Sequence, residues 1–133
     1  MRVEVKFGEG KQINAHFNGY EVKSDQTSAN GGEGKFPEPF DYFDTSLALC
    51  AGHYVMSFCE QRGISKEGIK LIQDSSKDEN DRYKRSYELL IDLPESFPKK
   101  YIKAVELAAN GCTVKKVVMA SPNFSILVNH PLK

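Results

Sequence analysis

The sequence predicts an α+β domain in which a long, buried helix packs with antiparallel strands. Three observations lead to this class: two regions alternate apolar and polar residues, one region repeats apolar residues at helical spacing, and the order is strands, helix, hairpin, helix, strand. The chain has 133 residues, and 40% of them are hydrophobic. That length supports one domain over residues 1–133 with a core of its own.

The first strands form a predicted hairpin. Apolar residues occupy alternate positions on both sides of a glycine turn, namely Val3, Val5 and Phe7, then Ile13, Ala15 and Phe17. Asn18 and Gly19 mark a second turn, and a third short strand is expected at 20–23. Residues 24–34 are polar, with several Gly and Ser and no periodicity, so they predict an exposed loop.

The long helix is predicted from Pro39 to Arg62. Its apolar residues recur at steps of three and four, and others lie elsewhere around the cylinder, which is typical of a buried helix. Proline is tolerated in the first turn because its missing N–H has no partner there. Gly63 supplies a left-handed stop after Arg62.

The second half of the chain predicts another hairpin and two shorter helices. Ile69 and Leu71 indicate one strand, residues 77–81 a charged turn, and residues 83–93 a longer strand. A helix with Ser96 as its N-cap is expected to end at 110–111, and Cys112 begins a further helical segment. The final strand is expected from alternating apolar residues, which are Phe124, Ile126 and Val128.

Composition excludes several function classes. The 18 basic and 18 acidic residues cancel, which argues against nucleic-acid binding because such proteins carry a basic excess. The longest apolar stretch contains Asp44 and His53, so no membrane span is expected. The first seven residues alternate like a strand and not like a signal peptide, which predicts a cytoplasmic protein.

Three cysteines lack the paired spacing of a disulfide framework. Cys50 lies mid-helix among small neighbours, where it is either an inert packing residue or a reactive thiol. Cys112 begins a helical segment after glycine, where unpaired N–H groups favour a thiolate. Cys59 follows Cys50 by nine positions on the opposite helix face, so we expect it to be a packing or partly exposed residue outside the site.

His53 shares the helix face of Cys50, three residues on. It is either a base or metal ligand beside that sulfur, or a hydrogen-bonded core or interface histidine. Zinc needs four well-placed ligands, and Cys50, His53 and Cys112 supply three without a short paired motif. We therefore expect no metal.

With these residues in view, the chain resembles a divergent member of the OsmC/Ohr family, the osmotically inducible and organic hydroperoxide resistance proteins. The resemblance lies in the thiol helix at 40–52, the second thiol segment at 108–116, and about sixty residues of hairpin and helix between them. It covers nearly the whole chain. It implies the OsmC-like fold, an intertwined homodimer with sites at its interface.

The resemblance also implies an activity. Cys50 would be the peroxidatic thiol that reduces small organic hydroperoxides in oxidative stress defence, and Cys112 the resolving thiol. It implies no bound cofactor, because an external dithiol, such as a lipoyl group, restores the reduced pair.

The family also uses an activating arginine from its first strands and a glutamate at the start of the thiol helix. Arg2 is the only arginine before Arg62, so Lys6 or Lys11 is the candidate cation. The glutamate position falls on Phe40, which Glu38 and Asp41 flank as candidate carboxylates.

A second function class remains open. The same fold without peroxidase activity would bind a small apolar or thiol-bearing ligand in the dimer cavity. The residues expected to line that cavity are Phe40, Tyr42, Phe43 and Met56. Oxidation of the two thiols by a hydroperoxide distinguishes the enzyme from this binding module.

Overall fold

The computed structural model describes residues 1–131, which divide into two compact units, one of residues 1–46 and one that begins at Leu47. Its three α-helices and two antiparallel sheets confirm the predicted α+β class. The helices and strands are β1 (Glu4–Phe7), β2 (Ile13–Phe17), β3 (Tyr20–Ser24), α1 (Pro39–Gln61), β4 (Lys70–Lys77), β5 (Arg85–Asp92), α2 (Ile102–Ala109) and α3 (Thr113–Met119).

The first unit contains a three-stranded sheet in the order β1, β2, β3, which confirms the predicted hairpin and third strand. Val5 pairs with Ala15, and Ala15 pairs with Val22. Alternate residues therefore share one face, as the period of two predicts. The hydroxyl of Ser24 donates to the Ile13 carbonyl over 2.8 Å at the end of β3.

The sequence predicts an exposed loop between β3 and α1, but this loop contains a buried residue. It folds around Asp25, which is 2% exposed and whose carboxylate accepts the N–H groups of Gln26 at 2.7 Å and Lys35 at 3.0 Å. These hydrogen bonds, that from Gln26 first, lower the pKa of Asp25. Gly32 lies so close that a Cβ there would be 2.1 Å from the Gln26 carbonyl oxygen. Polar side-chain chemistry, invisible to hydrophobic periodicity, organises this loop.

Helix α1 begins at Pro39 as predicted and ends at Gln61, one residue early. Gly63 has a φ of +63°, which confirms the left-handed stop. The sequence predicts a buried helix, and in the described single chain α1 is buried along one part of its surface and exposed along another. Its buried residues are Ala51, Val55, Phe58 and Cys59. Leu49 is 61% exposed, because nothing in the described single chain covers its face.

The second unit packs the later part of α1 with the β4–β5 hairpin and α2. In the hairpin Leu71 pairs with Ile91, which confirms the predicted strands. The buried core contains Val55, Phe58, Cys59, Phe97, Val105 and Ala109. No helix among residues 1–131 is both long enough and apolar enough to cross a membrane.

Two predicted features of the C-terminal half are wrong. Ser96 does not cap α2, because Pro98 and a 3₁₀ turn over Lys99–Tyr101 precede the helix. Residues 120–131 contain no strand, and Phe124 and Ile126 are about 90% exposed. Alternation alone does not make a strand, since the backbone also needs a neighbouring strand to which it can hydrogen-bond.

Candidate functional site

Two of the three cysteines meet in the second unit. Cys50 projects from α1 and is partly buried, and Cys112 is 3% exposed at the N-cap of α3. The Cys112 sulfur accepts the N–H of Lys115 at 3.4 Å, and its thiol donates to the Leu47 carbonyl at 3.9 Å. The two thiols are close enough that each changes the pKa of the other. The fold thus brings together two residues that lie 62 positions apart in the sequence.

The surroundings of Cys50 favour its thiolate. The backbone N–H of Val114 contributes most to lowering the pKa of Cys50, and the Cys112 thiol and the N–H of Thr113 also lower it. Partial burial opposes this effect without reversing it. An N–H donor stabilises the charged form of a thiol because its dipole points at the developing negative charge.

The pKa of Cys112 changes in the opposite direction. Burial raises it, and so does the neighbouring Cys50, although the N–H of Lys115 partly offsets the rise. The expectation that the helix start favours a thiolate at Cys112 is therefore wrong. The N–H groups of Thr113 and Val114 lower the pKa of Cys50, while that of Lys115 hydrogen-bonds to Cys112. The pair combines a thiol whose pKa is lowered with a neighbour whose pKa is raised.

Cys59 lies apart from this pair, in the hydrophobic core. It is fully buried, and burial raises its pKa. A buried, protonated thiol is a poor nucleophile. The structure thus places Cys59 where helical spacing predicts a packing residue.

His53 is exposed and lines a cavity of about 360 Å³ on the second unit. The other lining residues are Tyr54, Ser57, Phe58, Gln61, Arg62 and Ala108. The guanidinium of Arg62 stacks on Phe58, 3.8 Å from the ring centroid. His53 is therefore not a core histidine. Within residues 1–131 no cluster of three or more His, Cys, Asp or Glu side chains could hold a metal ion.

The predicted activating residues belong to the first unit. The Glu38 carboxylate accepts the Thr27 N–H at 3.2 Å and the Asn30 side-chain amide at 3.1 Å, and these bonds lower its pKa. The Asp41 carboxylate accepts the Glu38 N–H at 2.8 Å. Both carboxylates therefore organise the loop and the start of α1.

The remaining predicted residues of this unit are Lys6, Lys11 and Phe40. Lys6 lies in β1, 3.6 Å from the Glu4 carboxylate, and Lys11 is exposed in the turn before β2. The ring of Phe40 lies 5.2 Å from that of Phe43, centroid to centroid, in the first turns of α1. A role for any of them at Cys50 stays a prediction.

Sequence reasoning missed three contributors to the thiol pair. Thr113 and Val114 act through backbone N–H groups, which no side-chain motif reveals. Tyr54 contacts the same segment, and its hydroxyl oxygen lies 2.5 Å from that of Thr113. A helix start directly after Gly111 was the available signal for the N–H donors, and it indicated Cys112, which accepts the Lys115 N–H, but not Cys50.

Comparison with known proteins gives a consistent family. The family model described as OsmC-like protein matches residues 32–126. A search of curated proteins found no match.

Three solved structures share the fold at low sequence identity. A Psychrobacter arcticus structure, named as an osmotic stress induced and detoxification response protein, has a TM-score of 0.72 and 22% identity, and covers 86% of this chain and 85% of its own. The organic hydroperoxide resistance protein OsmC from Legionella pneumophila has a TM-score of 0.59 and 15% identity, and the match covers 89% of this chain and 89% of the Legionella chain. A Vibrio cholerae structure is named as an organic hydroperoxide resistance protein with captopril bound in one of the active sites. It has a TM-score of 0.59 and 12% identity, and the match covers 91% of this chain and 86% of the Vibrio chain.

Proposed function

The chain belongs to the OsmC-like protein family, and from that membership we propose that it reduces organic hydroperoxides with a two-cysteine cycle. Cys50 is the peroxidatic residue and Cys112 the resolving residue. The observation that carries the proposal is the pairing of these thiols with pKa changes in opposite directions, lowered at Cys50 and raised at Cys112. A two-step thiol reaction needs that asymmetry, because one thiol must attack the peroxide and the other must react only after the sulfenic acid has formed.

In the first step the Cys50 thiolate attacks the terminal oxygen of the hydroperoxide. A sulfur–oxygen bond forms, the oxygen–oxygen bond breaks, and the alkoxide leaves and takes a proton to become the alcohol. Sulfur is oxidised by two electrons to a sulfenic acid, and the peroxide is reduced by the same two electrons. The N–H groups of Val114 and Thr113 support this step, because they stabilise the attacking thiolate.

In the second step the Cys112 sulfur attacks the Cys50 sulfenic acid. A disulfide forms and water leaves, carrying the sulfenic oxygen and the Cys112 proton. The proximity of the two thiols, each of which changes the pKa of the other, supports this step. An external dithiol then reduces the disulfide and is itself oxidised to a disulfide, and a lipoyl group is the proposed carrier.

We propose that the working form is a homodimer. The exposed apolar side chains of the described single chain support this, including Leu49 beside Cys50 on α1 and Phe124 after α3. Sedimentation at micromolar concentration is expected to give twice the mass of one chain. A stable monomer would overturn the dimer proposal.

The test of the activity is intact-mass spectrometry after one equivalent of cumene hydroperoxide, on the reduced protein without oxygen. The expected product has lost two hydrogens, and peptide mapping places the new bond between Cys50 and Cys112. The Cys112→Ser variant is expected to gain oxygen at Cys50 and to overoxidise with more peroxide. The Cys59→Ala variant is the control and is expected to form the same disulfide as the native chain.

A second function follows if the thiols stay reduced in a large excess of peroxide. The chain would then be a binding protein for a small apolar or thiol-bearing ligand. The captopril bound to the Vibrio cholerae protein supports this candidate, because captopril carries a thiol. Calorimetric binding of captopril to a peroxide-inert chain would favour the binding module over the enzyme.

A further inference from the structure

Tyr54 connects α1 to the segment that carries the second thiol. It lies one helical turn after Cys50, and its hydroxyl oxygen is 2.5 Å from Oγ1 of Thr113. Its ring also lies against Gly111, where a Cβ would be 3.3 Å from two ring carbons. One side chain therefore contacts the residues on both sides of Cys112.

The segment that Tyr54 contacts supplies the hydrogen bonds around Cys50. Thr113 and Val114 direct their backbone N–H groups at that sulfur. We propose that the hydrogen bond between Tyr54 and Thr113 is a positioning contact, which holds the first turn of α3 against Cys50 and so sets the reactivity of that thiol. The inference rests on the proposed function only in taking Cys50 as the reacting residue.

The hydroxyl group and the ring of Tyr54 have separable roles. The ring packs against Gly111 and needs no hydroxyl to do so. The hydroxyl bond fixes the side chain of Thr113, which is an exposed residue. Since the Thr113 side chain and N–H share one Cα, fixing the side chain restricts rotation of the N–H away from the sulfur.

The experiment measures the alkylation rate of Cys50 by iodoacetamide from pH 5 to pH 10, with modified residues assigned by peptide mass mapping. Tyr54→Phe and Thr113→Val each remove one partner of the hydrogen bond, whereas Thr113→Ser keeps the hydroxyl. Tyr101→Phe, whose ring packs on Phe58, is the matched control. Cys59 must stay unmodified throughout, which shows that each variant remains folded.

We expect Tyr54→Phe and Thr113→Val to raise the pH midpoint of Cys50 alkylation and to slow the reaction at pH 7 about threefold to tenfold, the range for loss of one hydrogen bond. The double variant should lose no more than either single variant, because both remove the same contact. Thr113→Ser and Tyr101→Phe should keep the native midpoint. An unchanged midpoint in both Tyr54→Phe and Thr113→Val would overturn the inference.

The outcome is separable from that of the peroxidase proposal. If the pH midpoint of Cys50 alkylation rises in the two variants while the native chain does not react with cumene hydroperoxide, the positioning contact is supported and the enzyme proposal fails. If the native chain forms the disulfide and the midpoint stays unchanged in both variants, the positioning inference alone fails.

Discussion

Substitution of Gly32 by alanine is expected to unfold the loop around Asp25. The new Cβ would lie 2.1 Å from the Gln26 carbonyl oxygen, so that oxygen must move by about 0.9 Å to reach even the 3.0 Å that real contacts respect. The same oxygen accepts the Gly34 N–H at 3.0 Å, and this bond would be lost. Overpacking costs about 1–3 kcal/mol and the hydrogen bond about 1 kcal/mol, so we expect a loss of about 2–4 kcal/mol.

The assay is urea unfolding followed by far-UV circular dichroism, which suits a chain without tryptophan. Gly34→Ala is the matched control in the same loop. Its φ is +64°, and a Cβ there meets nothing within 4 Å, so only the left-handed backbone is penalised, by about 1–2 kcal/mol. A Gly32→Ala variant as stable as the native chain, or more stable than Gly34→Ala, would refute the steric argument.

Three further predictions test the acid sensitivity, the core and the thiol pair. Because hydrogen bonds depress the folded pKa of Asp25, its contribution to stability is present above the unfolded pKa of about 4 and is lost as pH falls through the folded value. Asp25→Asn should therefore destabilise the chain at pH 7 and differ less from it near pH 2, and a constant difference in urea titrations would contradict this. Val105→Ala, at a site 1% exposed, should lower the free energy of unfolding by about 2 kcal/mol. Val117→Ala, at a site 53% exposed, should lower it by less than half as much. Equal losses in urea unfolding would contradict the assigned core. Alkylation by iodoacetamide should show a lower pH midpoint for Cys50 than for Cys112, and the reverse order would contradict the assigned roles.

The elements with a clear hydrophobic period were predictable from the sequence. The strands of both hairpins and the start of α1 at Pro39 follow from alternation, helical spacing and a proline, and each of these signals is local. The loop at 25–38 escaped prediction because its order comes from one buried carboxylate and its N–H partners. Nothing in the residue type distinguishes Asp25 from the exposed acidic residues nearby.

The exposed face of α1 and residues 120–131 show another limit. The spacing of apolar residues predicts which face of an element is buried, but not whether the same chain or a partner chain buries it. Leu49 and Ile126 have the composition of buried residues, yet in the described single chain they are 61% and 91% exposed. A homodimer of the proposed kind would explain both.

The candidate site was predictable as a pair of thiols but not in its electrostatics. The sequence positions of Cys50 and Cys112 and the resemblance to a family brought the pair together. The sequence did not show which sulfur receives the N–H groups of α3, because that depends on how α3 lies against α1. The contact of Tyr54 could not be predicted for the same reason, since its partner Thr113 is 59 positions away in the sequence.

The long separation of the two thiols along the chain has a consequence for their redox poise. A bond between Cys50 and Cys112 would close a covalent ring of about sixty residues, and a ring of that size is expected to restrict the unfolded chain by about 4 kcal/mol. Linkage works in both directions, so the folded chain stabilises the disulfide by the same amount relative to an unfolded one. For a two-electron couple this lowers the reduction potential by roughly 90 mV. If the chain cycles through this disulfide as proposed, its reductant must be a strong one, and a dithiol that closes its own ring is better suited to reduce it than a monothiol.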